Sequence, residues 1–333
     1  MNPLPLHVRI AGVGAFLPAL RVSSAELEAR LGLPAGWVEH VTGVRERRYA
    51  VTETTVEMGA EAARRALIDA GRVASDVDLI VAAMSAPAQA VPCTAAFLQR
   101  AIGAPGGGSA CFDVNATCLS FIAAIQTVAP LIASGVYRTA LVVSSELPSR
   151  SLDAAEPDCA VLFGDAAAAV VLERNSAGDA STIWHTALAT WSEGADLTEF
   201  QGAGTLHHPN DPTTTREMNT FRMRGTSVFK QAARLSGPFL DEFFEELGWS
   251  RSEVAAVVPH QASRHALEQL SGRLGFDEGR VLSNIAERGN CVGASIPLLL
   301  AEAVQSGRIV RGDRILLCGT GAGLTLGAVA LTY

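Results

Sequence analysis

The 333-residue sequence has little charge and few aromatic side chains: Asp, Glu, Lys and Arg make up 18% of it, and Phe, Trp and Tyr only 6%. Apolar residues make up 48%, which excludes a disordered chain and predicts a large buried core. Lys230 is the one lysine, and the net charge of −8 argues against a general nucleic-acid binder. With Ala, Val, Leu and Gly in plenty, we expect closely packed layers of helix and sheet.

Several signals of other protein classes are missing. None of the six cysteines forms a CxxC pair, which argues against structural zinc or a thioredoxin-like motif. His207, His208 and His265 have no carboxylate or cysteine at metal-ligand spacing. The N-terminus lacks a cationic start followed by a signal-type apolar run. No apolar run approaches the roughly 20 residues that span a bilayer. We therefore expect a cytoplasmic protein with reduced thiols, no metal and no membrane association.

Short apolar runs typical of buried strands alternate with alanine-rich helical runs, which predicts an α/β protein with buried sheets. The strand candidates are 77–83, 140–144, 170–172, 254–258 and 315–317, and the helix candidates are 56–70, 121–133 and 296–305. Pro130 lies inside the second helical run, so we expect it to kink that helix or end it early.

A weak internal repeat relates the two halves of the chain. A Ser-Gly pair precedes a strand candidate at 134–135 and again, about half the chain later, at 306–307. The same offset, from 134 to 306, places Cys118 over Asn290. A chance match of short apolar strings would give this pattern, and so would a duplicated α/β fold whose matching strand ends face one cleft.

Cys118 lies where the strand-like segment 111–114 leads through polar residues into a helix. A cysteine there is near the positive end of the helix dipole, which lowers a thiol pKa and favours the nucleophilic thiolate. The alternative is a small buried residue, the usual state of a free cysteine. Cys111 and Cys291 have only that second interpretation.

Two polar residues lie where side chains could point into a cleft. His260 directly follows a buried strand candidate, although a hydrogen-bonded structural histidine would fit the position equally well. Asn290 precedes a helical run, where Asn also serves as a turn or cap residue.

The segment 319–327 is the richest in glycine and follows a strand, so its amides could form an anion or oxyanion site. It lacks the Walker lysine and the GxGxxG spacing. Gly12 and Gly14 also follow a strand, without a third glycine, so a nucleotide cofactor is not supported. Arg45, Arg47 and Arg48 form a small basic cluster that is either solvated surface or a dock for an acidic partner.

Taken together, these segments resemble one family, the β-ketoacyl-acyl-carrier-protein synthase III family. The segment 113–121, DVNATCLSF, resembles its active-cysteine segment, 259–262, PHQA, its histidine motif, and Gly289-Asn290 with 294–297, ASIP, its asparagine motif. Segment 321–327 resembles its glycine-rich closing segment, 37–47 its tryptophan segment and 163–165 its mid-chain turn. The resemblance runs in order from about residue 10 to the last residue.

The resemblance implies a thiolase fold of duplicated five-layered αβαβα architecture, with an N-terminal half, 1–174, that carries the cysteine and a C-terminal half, 175–333, that carries His260 and Asn290. It implies that Cys118 takes an acyl group from an acyl-CoA or acyl-carrier-protein donor, with the backbone N–H groups of Cys118 and Ala322 as the oxyanion hole. His260 and Asn290 would then promote decarboxylation of a malonyl thioester carried by acyl carrier protein. It further implies a homodimer that needs no cofactor.

For binding the acyl group and the pantetheine arm, the resemblance implies Trp37, Val91 and Phe229. Val91 replaces a phenylalanine that limits the acyl pocket in the short-chain type. Val41 and Pro157 replace arginines that contact the nucleotide end of coenzyme A. The segment 166–169 and Ala322 replace glycines. We therefore expect a primer longer than acetyl.

Two other functions stay open on the sequence alone. One is a non-condensing acyltransferase on the same fold, against which the intact His260 and Asn290 pair argues. The other is a non-catalytic subunit that binds carrier protein, against which Cys118 argues.

Overall fold

A computed structural model describes residues 5–176, 178–202 and 204–333, without the side chains of Leu270, Arg273 and Glu278. The strands of this described part are β1 (Val8–Phe16), β2 (Leu20–Ser23), β3 (Glu46–Tyr49), β4 (Leu79–Ala83), β5 (Ala110–Val114), β6 (Thr139–Glu146), β7 (Ala166–Arg174), β8 (Thr182–Thr190), β9 (Thr198–Glu199), β10 (Arg222–Met223), β11 (Ala256–Pro259), β12 (Arg314–Gly321) and β13 (Thr325–Thr332). The α-helices are α1 (Ser24–Leu31), α2 (Trp37–Thr42), α3 (Thr55–Asp69), α4 (Thr94–Ile102), α5 (Ser120–Ala133), α6 (Pro157–Ala160), α7 (Gly225–Leu247), α8 (Arg264–Arg273), α9 (Ile285–Arg288) and α10 (Ser295–Gln305).

Two mixed sheets form the framework. The first has the strand order β1-β7-β6-β4-β5, in which β4 runs parallel to both of its neighbours. The second has the order β11-β12-β13-β8, in which β11 and β12 are parallel. All strand and helix candidates from the sequence overlap an observed element of the expected type.

Three apolar clusters divide the molecule into layers. The largest holds buried side chains of α5 and α10 together with one face of each sheet, so these two helices lie between the sheets. Helices α3 and α4 cover the other face of the first sheet. Helix α7 covers the other face of the second. The result is the predicted helix–sheet–helix–sheet–helix arrangement of the thiolase fold. The division of the chain between residues 174 and 175 stays a prediction.

Two expectations about local structure were wrong, the early end of α5 at Pro130 and the place of two glycines after a strand, while a kink at Pro130 stays a prediction. Helix α5 continues beyond Pro130 as far as Ala133, and the carbonyl of that proline accepts the N–H of Ser134 at 2.9 Å. Gly12 and Gly14 lie inside β1 rather than after a strand. A Cβ on Gly14 would lie 2.2 Å from the carbonyl oxygen of Ala62, so these glycines let α3 approach the strand.

The repeat is real in outline, but the offset from 134 to 306 does not align the two sites. Short 3-10 turns at Thr117–Leu119 and Val292–Ala294 lead into α5 and α10. Because α5 has 14 residues and α10 has 11, the two turns are further apart along the chain than the two Ser-Gly pairs that follow the helices. When the turns are aligned, Cys118 corresponds to Gly293, and the match of Cys118 with Asn290 was wrong.

Among the described residues, no helix combines the length and the apolar character that crossing a membrane requires.

Candidate active site

Cys118 lies in a tight turn at the start of α5. The preceding residue, Thr117, has a φ of 53°, an unfavourable value for a β-branched residue. Two side chains hold the turn: Asn115 Oδ1 accepts the N–H of Thr117 at 2.9 Å, and Ser120 Oγ donates to the carbonyl of Thr117 at 2.7 Å. The backbone at Cys118 is thereby fixed in front of the helix, as the sequence predicted.

The pKa of this thiol differs from the expectation. Burial raises the pKa of Cys118 to about 12, and the nearby carboxylate of Glu146 adds to the increase. The helix dipole was expected to lower it, but desolvation of a thiolate outweighs a dipole effect when no cation lies beside the sulfur. In the resting site Cys118 is a thiol.

His260 follows β11 directly, as predicted, and is 5% exposed. Its backbone N–H donates to the carbonyl of Cys318 on β12 at 2.8 Å, which continues the parallel strand pairing beyond the end of β11. Burial lowers the pKa of His260 to about 4, so the imidazole is neutral at pH 7. Its Nδ1 is buried and has no hydrogen-bond partner among the described residues.

Asn290 is held between two segments of the chain. Its backbone N–H donates to the backbone carbonyl of Leu162 at 3.0 Å, and its backbone carbonyl accepts the N–H of Gly164 at 3.1 Å. Side-chain Oδ1 accepts the N–H of Val292 at 2.9 Å. That bond fixes the amide orientation and leaves Nδ2 as the donating end.

Glycines show how closely these segments meet. A Cβ on Gly319 would lie 2.6 Å from the Cβ of His260 and 3.3 Å from Leu119, the residue after Cys118. A Cβ on Gly321 would lie 2.8 Å from Oγ1 of Thr117, and one on Gly293 would lie 3.3 Å from the carbonyl oxygen of Thr117. The cysteine, histidine and asparagine segments therefore converge with the glycine-rich end of β12.

A cavity of about 860 Å³ opens beside this junction. His260 and Pro259 line it, and Cys318, Leu326 and Gly327 form its floor on the second sheet. One face of α7, which includes Phe229, Ser236 and Leu240, forms a wall, and α8 with Val41 and Asp158 lies on other sides. Such a size and a largely apolar lining suit a flexible acyl chain with its carrier arm.

The three predicted binding residues have different places. Phe229 lines the cavity and is 38% exposed. Trp37 instead packs at the start of α2 against the apolar cluster of Val22, Leu27 and Val38, and it is not part of the cavity wall. Val91 is 79% exposed and also lies outside the wall of its own chain. Trp37 and Val91 thus lie outside the cavity wall of one chain, and their part in binding the acyl group and the pantetheine arm stays a prediction.

The basic cluster is not a free cationic surface. Arg45 pairs with Glu287. Arg47 is fully buried, and its guanidinium donates to Ser24 Oγ and to backbone carbonyls, while Arg48 donates to the carbonyl of Ala19 at 2.9 Å. All three arginines thus have partners inside this chain, so a dock for an acidic partner does not follow from them.

Glu146 is a site residue that the sequence reasoning missed. It ends β6, a fully buried strand, with a residue exposure of 2%. Burial raises the pKa of its carboxyl to about 7. The sequence contained a signal for Glu146, because it is a charged residue at the end of an apolar strand run. His260 was identified from the same pattern, a polar residue at the end of a buried strand.

His260 lines an acyl-sized cavity in a thiolase fold, and the segments of Cys118 and Asn290 meet the glycine-rich end of β12 beside it, an arrangement that fits a condensing acyltransferase. Two family models match the chain: "3-Oxoacyl-[acyl-carrier-protein (ACP)] synthase III" over residues 112–192, and the C-terminal model of the same family over residues 244–333. The chain is 36% identical over 328 residues to the β-ketoacyl-[acyl-carrier-protein] synthase III of Neisseria gonorrhoeae, with 98% of this chain and 99% of the relative covered. To that of a Chelativorans species it is 37% identical over 326 residues, with 97% and 98% covered.

Solved structures agree with this. The 3-oxoacyl-(acyl carrier protein) synthase III of Pseudomonas aeruginosa PAO1 superposes with a TM-score of 0.88 at 34% identity and covers 98% of each chain. The priming β-ketosynthase of the R1128 polyketide pathway superposes with a TM-score of 0.90 at 30% identity, covering 100% of this chain and 98% of the other. The chain belongs to the 3-oxoacyl-acyl-carrier-protein synthase III family and is an acyltransferase of the condensing type.

Proposed function

We propose that Cys118, His260 and Asn290 carry the condensation, with Cys118 as the acyl carrier and the other two as donors to the malonyl thioester. The observation that carries this proposal is the convergence of their three segments at the glycine-rich end of β12, beside a cavity that His260 lines and Cys118 and Asn290 do not. There a neutral His260 has a buried Nδ1 without a partner among the described residues.

In the first half-reaction the sulfur of Cys118 attacks the carbonyl carbon of an acyl thioester. The C–S bond to the carrier breaks, and the thiol proton ends on the departing carrier thiol, so no external proton is consumed. The backbone N–H groups of Cys118 and Ala322 stabilise the tetrahedral oxyanion. Ala322 lies in the turn between β12 and β13, next to Gly321, which packs against Thr117.

In the second half-reaction a malonyl thioester occupies the same cavity. Neutral His260 and the amide of Asn290 donate hydrogen bonds to its thioester carbonyl and stabilise the enolate that remains when CO₂ leaves. A neutral imidazole suits this task, because it donates a hydrogen bond to the enolate oxygen without transferring a proton to the enolate. The enolate therefore stays available to attack the acyl group. The α-carbon then attacks the acyl carbonyl and expels the sulfur of Cys118.

The substrates are an acyl-CoA or acyl-carrier-protein donor and malonyl-carrier protein, and no cofactor beyond these thioesters takes part. A primer longer than acetyl is supported by the apolar part of the cavity formed by Leu240, Leu274 and Leu326. The free state of all six cysteines supports a cytoplasmic location with reduced thiols.

We further propose a homodimer in which Val91 reaches a second copy. Strand β5 is an outer strand of the first sheet and its residues are only half-buried in one chain, while Val91 is largely exposed. Trp37 would contribute through the position of α2, which carries the cavity residues Val41 and Thr42.

The test is mass spectrometry of the intact protein after incubation with octanoyl thioesters. One acyl mass should appear and should map to the peptide of Cys118. Cys118→Ala should abolish the label, while Cys318→Ala, which removes another thiol that lines the cavity, should retain it. A label that persists in Cys118→Ala would overturn the assignment.

A further inference from the structure

Glu146 has an unusual environment for a carboxylate. Its Oε1 accepts the N–H of Ser85 at 2.6 Å and its Oε2 accepts the hydroxyl of Ser85 at 2.7 Å. The N–H groups of Ala86 and Gly293 also donate to it. It forms no ion pair with any described residue. These four donors favour the ionised form, but the desolvation of the carboxylate outweighs them, which places this group close to a protonation equilibrium.

The carboxyl group lies between the cysteine and asparagine segments. A Cβ on Gly293 would lie 2.7 Å from Oε1 of Glu146 and 3.3 Å from the carbonyl oxygen of Thr117. The titratable groups that face it are Cys118 from the turn before α5 and Cys291 from the segment before α10, since the charge of Glu146 raises the pKa of both thiols. Asp165 directly precedes β7, the strand that pairs with β6, and its carboxyl instead accepts from Ser149 and Ala50.

The second half-reaction needs a proton that the first does not. Decarboxylation breaks the C–CO₂ bond and leaves its electron pair on the α-carbon. That pair forms the new C–C bond, and the C–S bond to Cys118 breaks with its electron pair on sulfur. A neutral thiol is restored only when one proton reaches that sulfur, and His260, whose pKa is about 4, carries no extra proton at pH 7.

We propose that Glu146 holds this proton in its carboxyl form and returns it to the sulfur of Cys118 when carbon–carbon bond formation expels the thiolate. Solvent then reprotonates Glu146 before the next turnover. The inference rests on the proposed function of Cys118. A pKa near 7 means that about half of the molecules hold the proton at neutral pH. Glu146 is a general acid in this proposal, because its proton goes directly to the sulfur that leaves.

The test starts from octanoylated enzyme and follows its single turnover with malonyl-carrier protein between about pH 5.5 and 9. For the unmodified protein, recovery of the Cys118 thiol should slow by about tenfold per pH unit above about pH 7, as Glu146 loses its proton. Glu146→Gln should lose this pH dependence and be at least about tenfold slower at pH 6. Glu146→Asp, which keeps a carboxylic acid, should retain the falling limb of the pH profile, which is the decrease in the rate of thiol recovery as the pH rises.

Two variants serve as controls. Glu173→Gln removes another buried carboxyl, which lies at the far end of β7 and pairs with Arg9 and Arg72, and should keep the pH profile of the unmodified protein. Ser85→Ala removes the hydroxyl that favours the ionised form of Glu146, so the falling limb should shift to higher pH. If Glu146→Gln does not fold, this shift still decides the question.

The rate at which iodoacetamide alkylates Cys118 reports on the charge of Glu146 without requiring the condensation reaction. At about pH 8, Glu146→Gln should react several-fold faster, because removal of the neighbouring negative charge favours the thiolate. The proposal is overturned if Glu146→Gln keeps the falling limb, or if it slows acylation and condensation by one common factor. An unmodified protein that never releases CO₂ would contradict the proposed function instead, while the alkylation result would still report on Glu146.

Discussion

Asn115 and Asn290 make the same hydrogen bond in the two halves of the molecule: each Oδ1 accepts, at 2.9 Å, the backbone N–H of the residue two positions further on. The donating residues, Thr117 and Val292, have φ values of 53° and 49°. An Asx-type bond of this kind stabilises a turn that β-branched residues otherwise avoid. The second half thus repeats the turn that presents Cys118.

The repeated turn has diverged in use. In the first half it presents the thiol of Cys118, and in the second half the corresponding residue is Gly293, where a Cβ would collide with Glu146. In the proposed function, the second half acts instead through the asparagine that holds the turn. We infer that one half supplies the nucleophile and the other supplies the donors for decarboxylation.

Asn290 holds its turn through Oδ1 and is proposed to donate to the substrate through Nδ2, and the substitution Asn290→Asp separates these two roles. The carboxylate still accepts the N–H of Val292, so the turn should remain, but the Nδ2 donor is lost. CO₂ release from malonyl-carrier protein should fall by roughly 10²–10³, while acylation of Cys118 should change by only a few-fold. Undiminished CO₂ release by Asn290→Asp would refute its assigned role.

Gly319→Ala tests the packing of His260 on β12. The added Cβ would lie 2.6 Å from the Cβ of His260, so the imidazole must shift. We expect condensation to fall by at least about tenfold, with a smaller loss in acylation, because misplacing a donor weakens the enolate interaction. Single-turnover rates of each half-reaction measure this. Gly272→Ala, in α8 with open space around it, is the control and should retain full activity. Equal rates for both variants would contradict the packing argument.

The shifted pKa values of His260 and Glu146 predict opposite effects of pH on the free energy of unfolding. The pKa of His260 is lowered from 6.5 to about 4, so its contribution to the free energy of unfolding is present above pH 6.5 and is lost as the pH falls to 4. The pKa of Glu146 is raised from 4.5 to about 7, so its contribution is present below pH 4.5 and is lost as the pH rises to 7. Each change corresponds to about 3 kcal/mol.

Urea unfolding of Glu146→Gln and His260→Asn across this pH range measures both contributions. The stability advantage of the unmodified protein over His260→Asn should shrink as the pH falls, and its advantage over Glu146→Gln should shrink as the pH rises. If either difference stays constant with pH, the corresponding group titrates at its ordinary pKa.

Val41→Arg tests how the donor binds. Val41 and Asp158 line the cavity, and the nearby cations are already engaged, Arg45 with Glu287 and Arg150 with the carbonyl of Glu53. A new guanidinium there should strengthen acyl-CoA binding by about 1.5–3 kcal/mol through the coenzyme A phosphates, seen as a KM lowered at least about tenfold. Val73→Arg, at an exposed position outside the cavity, should leave KM unchanged. An unmodified protein that already prefers acetyl-CoA to octanoyl-carrier protein would contradict this account.

The elements that could be predicted from the sequence are those with strong local patterns. The helix expected at 56–70 is observed as Thr55–Asp69, and that expected at 296–305 as Ser295–Gln305. Cys118, His260 and Asn290 were identifiable because each stands at the junction of an apolar run with a polar segment. The structure then shows that their segments meet.

What could not be predicted depends on distant parts of the chain. The raised pKa of Cys118 comes from burial and from Glu146, which lies at the end of a different element, β6, and neither cause is visible in the cysteine segment. The internal pairing of Arg45 and the full burial of Arg47 are likewise products of tertiary packing. Local periodicity also could not show that Trp37 packs beside the cavity without lining it.

The most direct measurement follows an isotopically labelled octanoyl group from Cys118 through one turnover. Labelled acyl-enzyme is mixed with malonyl-carrier protein, and CO₂, carrier protein and enzyme are analysed together. The account predicts one CO₂ for each labelled group, with the label in a β-ketoacyl-carrier protein and Cys118 free again. Labelled octanoate, or an octanoyl group transferred without loss of CO₂, would contradict it.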